Sequence, residues 1–204
     1  MDGLAWAPPW VKRRSTGRAI VAGPMLRLRS LIASSWTLSH LFHWLQGRRL
    51  EGSPQEQVWY FAYGANMHES AFQGWRGMRP LEWRAGRVFG CRLRFNLDGR
   101  PLGKSAPANL EPDPDAEVWG VLYRLTRQQL LQLDATEGSH YRHAELDGED
   151  RDGRPLRAIA YIATGHATDG RPSLRYITLL REGARAHGLP DHWLRFLDQI
   201  RHAE

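Results

Sequence analysis

The stretch Val58-Trp59-Tyr60-Phe61-Ala62-Tyr63-Gly64-Ala65-Asn66 constrains the fold more than any other part of the chain. It begins as an apolar and aromatic run, a composition that favours a strand. It stops in Gly-x-Asn, a turn sequence that tolerates unusual backbone angles and offers N–H groups. A strand ending this way can aim several N–H groups at one point and cradle an anion or an oxyanion. Such a sequence is more often only a turn, so the chemistry has to be sought downstream.

The segments that follow alternate between strand and helix without a regular order. Residues 67–74 suit a short helix. Residues 83–96 read as strand, with Gly86 and Gly90 as bulge positions. Residues 97–114 are rich in Gly, Pro and Asp and read as a loop, and residues 117–125 form the next strand. Thr126-Arg127-Gln128-Gln129 is a capping-box pattern opening a helix with Leu130, Leu131 and Leu133 on its buried side. That helix should stop at Gly138, leaving Glu137 in the turn behind it. Residues 141–147 and 156–163 form a hairpin across the turn 150–154. Ser173 opens a helix whose apolar face includes Leu174, Ile177, Leu180 and Ala184. Gly188-Leu189-Pro190 ends it, and Asp191 caps a last helix containing Trp193, Leu194, Leu197 and Ile200. Hairpins among irregularly placed helices mean α+β, with a mixed or barrel-like sheet.

Charge divides the chain. The whole carries +6 over 204 residues. Residues 1–50 hold eight Lys/Arg against Asp2 alone, which leaves 20 basic and 21 acidic residues for 51–204. The main domain, residues 56–204, is therefore nearly neutral, and nucleic acid is not an expected partner. Residues 1–55 read as a basic, poorly ordered extension. A membrane-surface helix there is the weaker alternative, because the segment is too polar for a span. The single cysteine, Cys91, excludes a disulfide framework and suits a reducing, cytoplasmic setting. Cys91 lies within a strand and reads as core rather than nucleophile.

The P-loop, the dinucleotide fingerprint, His-Glu-x-x-His and Gly-x-Ser-x-Gly are all absent from the sequence. His40/His43 and His140/His143 have i,i+3 spacing but no carboxylate pair beside them, so no metal is expected. Glu137 is the acid of interest. A glutamate behind a helix is ordinarily a solvated side chain. Held partly desolvated at the mouth of a barrel, it would have a raised pKa and could serve as base and acid near neutral pH. On the residues alone the solvated side chain is the stronger reading.

Two segments together, Tyr60-Phe61-Ala62-Tyr63-Gly64-Ala65-Asn66 and Leu133-Asp134-Ala135-Thr136-Glu137-Gly138, resemble the signature of the γ-glutamylcyclotransferase family. That family carries Tyr-Gly-Ser-Asn after its first strand and an essential Glu in a Leu-Asp-x-x-Glu-Gly turn. Glu117-Val118-Trp119-Gly120-Val121 is similar to its central strand. Tyr176, Gly183 and Gly188-Leu189-Pro190 are similar to its C-terminal helical section. The resemblance runs from about Val58 to Ile200 and does not reach residues 1–55. It implies a small mixed β-barrel with flanking helices, and a cofactor-independent lyase or acyltransferase of glutathione metabolism. The substrate α-amine would attack its own γ-carbonyl and release 5-oxoproline with an amino acid or amine. It further implies Glu137 as general acid/base, with Tyr60, Phe61, Ala62, Tyr63, Gly64, Ala65, Asn66, Tyr141 and Tyr176 around the substrate; the two last could equally be core aromatics. Ala65 departs from the family's Ser, which puts the substrate in question before the reaction. Cleavage of a γ-glutamyl amine or of a γ-glutamyl-protected metabolite, and a non-catalytic binding module, are the alternatives. Oligomeric state has no signature in the sequence.

Overall fold

The computed structural model describes residues 53–99, 105–137, 141–163 and 168–204. Residues 1–52, Gly138 and His140 lie outside them, so the extension, the His40/His43 pair and the helix stop at Gly138 have no structural account. Five strands close into a barrel in the order β1-β3-β2-β4-β5. They are β1 (Gln57–Ala62), β2 (Glu82–Arg94), β3 (Asn109–Thr126), β4 (Tyr141–Asp150) and β5 (Pro155–Ala163). All pairings are antiparallel except the closing one, where β1 meets β5 in parallel at Tyr60 and Ile159. The helices α1 (Arg127–Glu137), α2 (Leu174–Ala186) and α3 (Asp191–Gln199) flank the barrel. Among the described residues no helix is long and apolar enough to cross a membrane.

Of the two strand glycines expected at bulges, Gly90 is one and Gly86 is not. Gly90 has φ +73° and sits where the β2–β3 register slips, so it is a bulge. Gly86 is in regular register opposite Gly120. A Cβ on Gly86 would come within 2.3 Å of Leu122, and one on Gly120 within 2.3 Å of the Ala62 carbonyl. These two positions let neighbouring chain segments approach closely enough for the barrel to close.

Several expected boundaries move. The loop expected at 97–114 gives way to strand at Asn109, because β2 is long enough to pair with residues 109–112 beyond the bulge. In place of a short helix at 67–74 there is a 3₁₀ turn at Ala65–Met67 and a π turn at Ser70–Trp75. The capping box forms in both directions: Gln129 N–H donates to the Thr126 hydroxyl at 3.1 Å, and Thr126 N–H to the Gln129 side chain at 3.0 Å. The carbonyls of Pro54 and Glu56 also accept from Gln128 N–H and Arg127 N–H. Ser173 caps α2 by accepting from Tyr176 N–H at 3.2 Å. Leu174 turns outward and is 54% exposed, being the first residue of the helix and off its buried stripe. Pro190, not Asp191, is the N-cap of α3.

Candidate active site

A cavity of about 220 Å³ opens beyond the end of β1. The turn after β1 supplies Tyr63, Gly64, Ala65 and Asn66, and Tyr60 reaches in from the strand itself. The end of α1 supplies Thr136 and Glu137. Tyr141, Tyr161 and Tyr176 come from β4, β5 and α2, and Arg76, Pro107 and Ala108 from the loops.

Glu137 is the last residue of α1 rather than part of a turn behind it. Its side chain is 10% exposed. Oε1 accepts from Asn66 Nδ2 at 2.8 Å and lies 3.3 Å from an Arg76 guanidinium nitrogen, whereas Oε2 takes part in neither contact. Burial pushes the Glu137 carboxyl above its ordinary value, against the opposing Arg76 charge and the Asn66 hydrogen bond. Asn66 is itself buried, and its amide donates also to the Tyr60 hydroxyl at 2.7 Å. Both amide hydrogens are thereby used, which links Tyr60 and Glu137 through Asn66. The Asn66 Oδ1 is buried with no partner among the described residues.

The turn at Gly64 is not an empty cradle. Ala108 N–H donates to the Tyr176 hydroxyl at 3.1 Å, and Ala65 N–H is directed at the same oxygen. Donors from two chain segments therefore converge on a phenol oxygen, and the hydroxyl proton must turn away from them. A Cβ on Gly64 would lie 2.8 Å from that oxygen. Its φ is −119°, so glycine is needed here for space and not for a left-handed backbone.

Phe61 and Ala62, expected around the substrate, do not line the cavity. Phe61 is fully buried in the core, with its ring against Gly120, and the Ala62 carbonyl faces Gly120 as well. Tyr63 lines the cavity and donates to the Tyr161 carbonyl at 2.5 Å. Arg76, Thr136 and Tyr161 escaped the sequence reading. Arg76 lies in an irregular loop where no period marks a side. Tyr161 shares its strand face with Ile159, the β1 partner, and strand alternation could have found it once the barrel order was known. Its hydroxyl donates to Asp134 Oδ1 at 2.5 Å, and His143 Nε2 meets the same oxygen at 2.6 Å. No group of three His, Cys, Asp or Glu suited to a metal occurs among the described residues. Cys91 is buried, with its thiol pushed up to about 12, which makes it unreactive.

Residues 117–197 match the family described as AIG2-like. The γ-glutamyl cyclotransferase aclK of Aspergillus oryzae is 29% identical over 177 residues, which covers 76% of this chain and 64% of that one. The chain thus spans just under two thirds of that relative's length. The γ-glutamylcyclotransferase of Mus musculus is 29% identical over 162 residues, covering 73% and 81%. Among solved structures, a γ-glutamyl cyclotransferase superposes with a TM-score of 0.64 at 24% identity, over 73% of this chain and 90% of that one. YkqA from Bacillus subtilis superposes with a TM-score of 0.61 at 23% identity, over 72% and 56%. These two share the fold, a five-stranded mixed barrel with flanking helices.

Proposed function

We propose, from its similarity to γ-glutamylcyclotransferases, that this chain converts a γ-glutamyl compound into 5-oxoproline and a free amino acid or amine. The observation that carries this reading is the Glu137 carboxylate, buried in a cavity wall with one oxygen tied to Asn66 and Arg76 and the other left open. The substrate's α-ammonium must lose a proton before its nitrogen can attack the γ-carbonyl. Glu137 Oε2 takes that proton, and burial, which raises the carboxyl above its ordinary value, makes it a stronger base than a solvated glutamate. Attack closes a five-membered ring, forming the C–N bond and placing charge on the former carbonyl oxygen. The Tyr176 hydroxyl, its lone pairs held by Ala108 and Ala65 N–H, donates to that oxygen. Collapse restores the carbonyl and breaks the bond to the leaving nitrogen, which takes the first proton back from Glu137; the second proton of the ring nitrogen then passes by way of Glu137 to the expelled amine, which leaves as an ammonium. Nucleophile and electrophile belong to one molecule, so holding them in register supplies much of the acceleration and no covalent enzyme intermediate is required.

Ala65 fits this reading because the position works through its backbone N–H, which a missing hydroxyl does not affect. The test is to incubate the protein with a panel of γ-glutamyl amino acids and γ-glutamyl amines and to detect 5-oxoproline by mass spectrometry. Release from the amino-acid members, the amine members or both defines the leaving group. Failure to turn over any member supports a binding module instead.

A further inference from the structure

Arg76 and Glu137 are the one cation and the one anion that line the cavity, among the described residues, and they stand 3.3 Å apart. A γ-glutamyl head group is a zwitterion with its ammonium and carboxylate on a single carbon. We propose that Arg76 is the receptor for the substrate's α-carboxylate, so that the zwitterion docks across the Arg76–Glu137 pair with each charge on its opposite. This rests on the γ-glutamyl reading above and adds to it a specificity-determining residue.

The guanidinium has donors to spare. Among the described residues its polar partners are the Thr136 hydroxyl, 2.5 Å from Nη1, and Glu137, while Nε is buried with none. A planar fork with five N–H donors suits a carboxylate in two-point contact. The backbone turn is a poorer receptor than its sequence suggests, since the Ala65 N–H is already directed at the Tyr176 oxygen. Thr136 and Glu137 hold the guanidinium from the end of α1, so a carboxylate entering the fork can replace the contact to Glu137 without the side chain having to swing. The ammonium on the same carbon then meets the carboxylate that the newcomer displaced. Binding and presentation of the amine to its base become a single event, and a substrate whose α-carboxylate is masked loses both.

The test compares ligands that differ only in that carboxylate. Binding of 5-oxoproline and of 5-oxoprolinamide is measured by calorimetry on the wild-type protein, on Arg76→Gln and on Arg76→Lys. Turnover is measured with a γ-glutamyl amino acid and with its α-carboxamide. The wild type should favour the carboxylate members by about 10- to 100-fold, the yield of one charge-assisted contact. Arg76→Gln should reduce that preference to about twofold or less, mainly through KM, and Arg76→Lys should retain part of it. A wild type that binds acid and amide alike overturns the proposal. So does an Arg76→Gln protein, folded by thermal melt, that keeps the full preference. If the wild type favours 5-oxoproline through Arg76 yet turns over no γ-glutamyl compound, the reaction falls and the carboxylate receptor stands.

Discussion

The single residue on which the proposed chemistry turns is Glu137, and two measurements isolate it. Glu137→Gln keeps the shape and the contact with Asn66 while removing basicity. It should fold normally and lose roughly 10²-fold or more in kcat, the scale of general acid–base catalysis. A folded Glu137→Gln protein with near-normal kcat would remove Glu137 from the mechanism. The pH profile reads the same group. Burial raises its pKa, and it works as a base only when ionised, so kcat/KM should fall as the pH drops through a midpoint above that of an ordinary glutamate. The sign for stability runs the other way: ionising a carboxyl whose folded pKa is raised costs stability as pH rises through that range, and the cost is absent at lower pH. Tyr176 offers a second handle. Tyr176→Phe removes the proposed donor, and Gly64→Ala places a methyl 2.8 Å from its oxygen. Each should lower kcat by about 10²-fold, as for an oxyanion donor. If both variants fold and turn over as the parent does, the oxyanion is held elsewhere.

At the scale of elements, the site depends on how α2 packs against the turn after β1. A Cβ on Gly183 would come within 2.6 Å of the Met67 backbone, so the helix and the 3₁₀ turn touch through main chain. Met67 follows Asn66, and that contact therefore sets where Asn66 and the Tyr60–Asn66–Glu137 contacts sit. Gly183→Ala should destabilise the fold by about 1–3 kcal/mol, as overpacking does, and should lower kcat/KM as well. Thermal melts and kinetics on the same variant check both; a loss of stability with unchanged kinetics would mean that the turn is held independently of α2. Elements of this kind were legible from sequence where local signals decide them. The capping box at Thr126 and Gln129, the 150–154 hairpin and the Ser173 cap are local patterns of hydrogen bonding. The strand at 109–114 was not legible. Its residues 109–112 pair with β2, against the preference of Pro112 for a loop.

For the molecule as a whole, the barrel strands and the cavity-lining residues among those described lie between Gln57 and Tyr176. A chain beginning at Ser53 should therefore unfold cooperatively and keep the activity of the full chain. Loss of the cooperative transition would show that residues 1–52 complete the core. The sequence by itself determined the class of fold, the order of its elements and the two segments that meet at the cavity, because strand composition, caps and turns are written in neighbouring residues. Its resemblance to the γ-glutamylcyclotransferase family also carried Glu137, Asn66 and Gly64 as candidates through two short motifs, and Tyr176 through the C-terminal helical section. Only the tertiary structure decided the rest. Barrel closure turned Phe61 and Ala62 against Gly120 instead of the cavity. The same closure brought Arg76 and Tyr161 to the cavity wall from segments far apart in sequence. It also filled the Gly64 turn with a phenol oxygen from α2. Those outcomes depend on which surfaces meet when five strands close on themselves, and no local pattern of residues encodes that meeting.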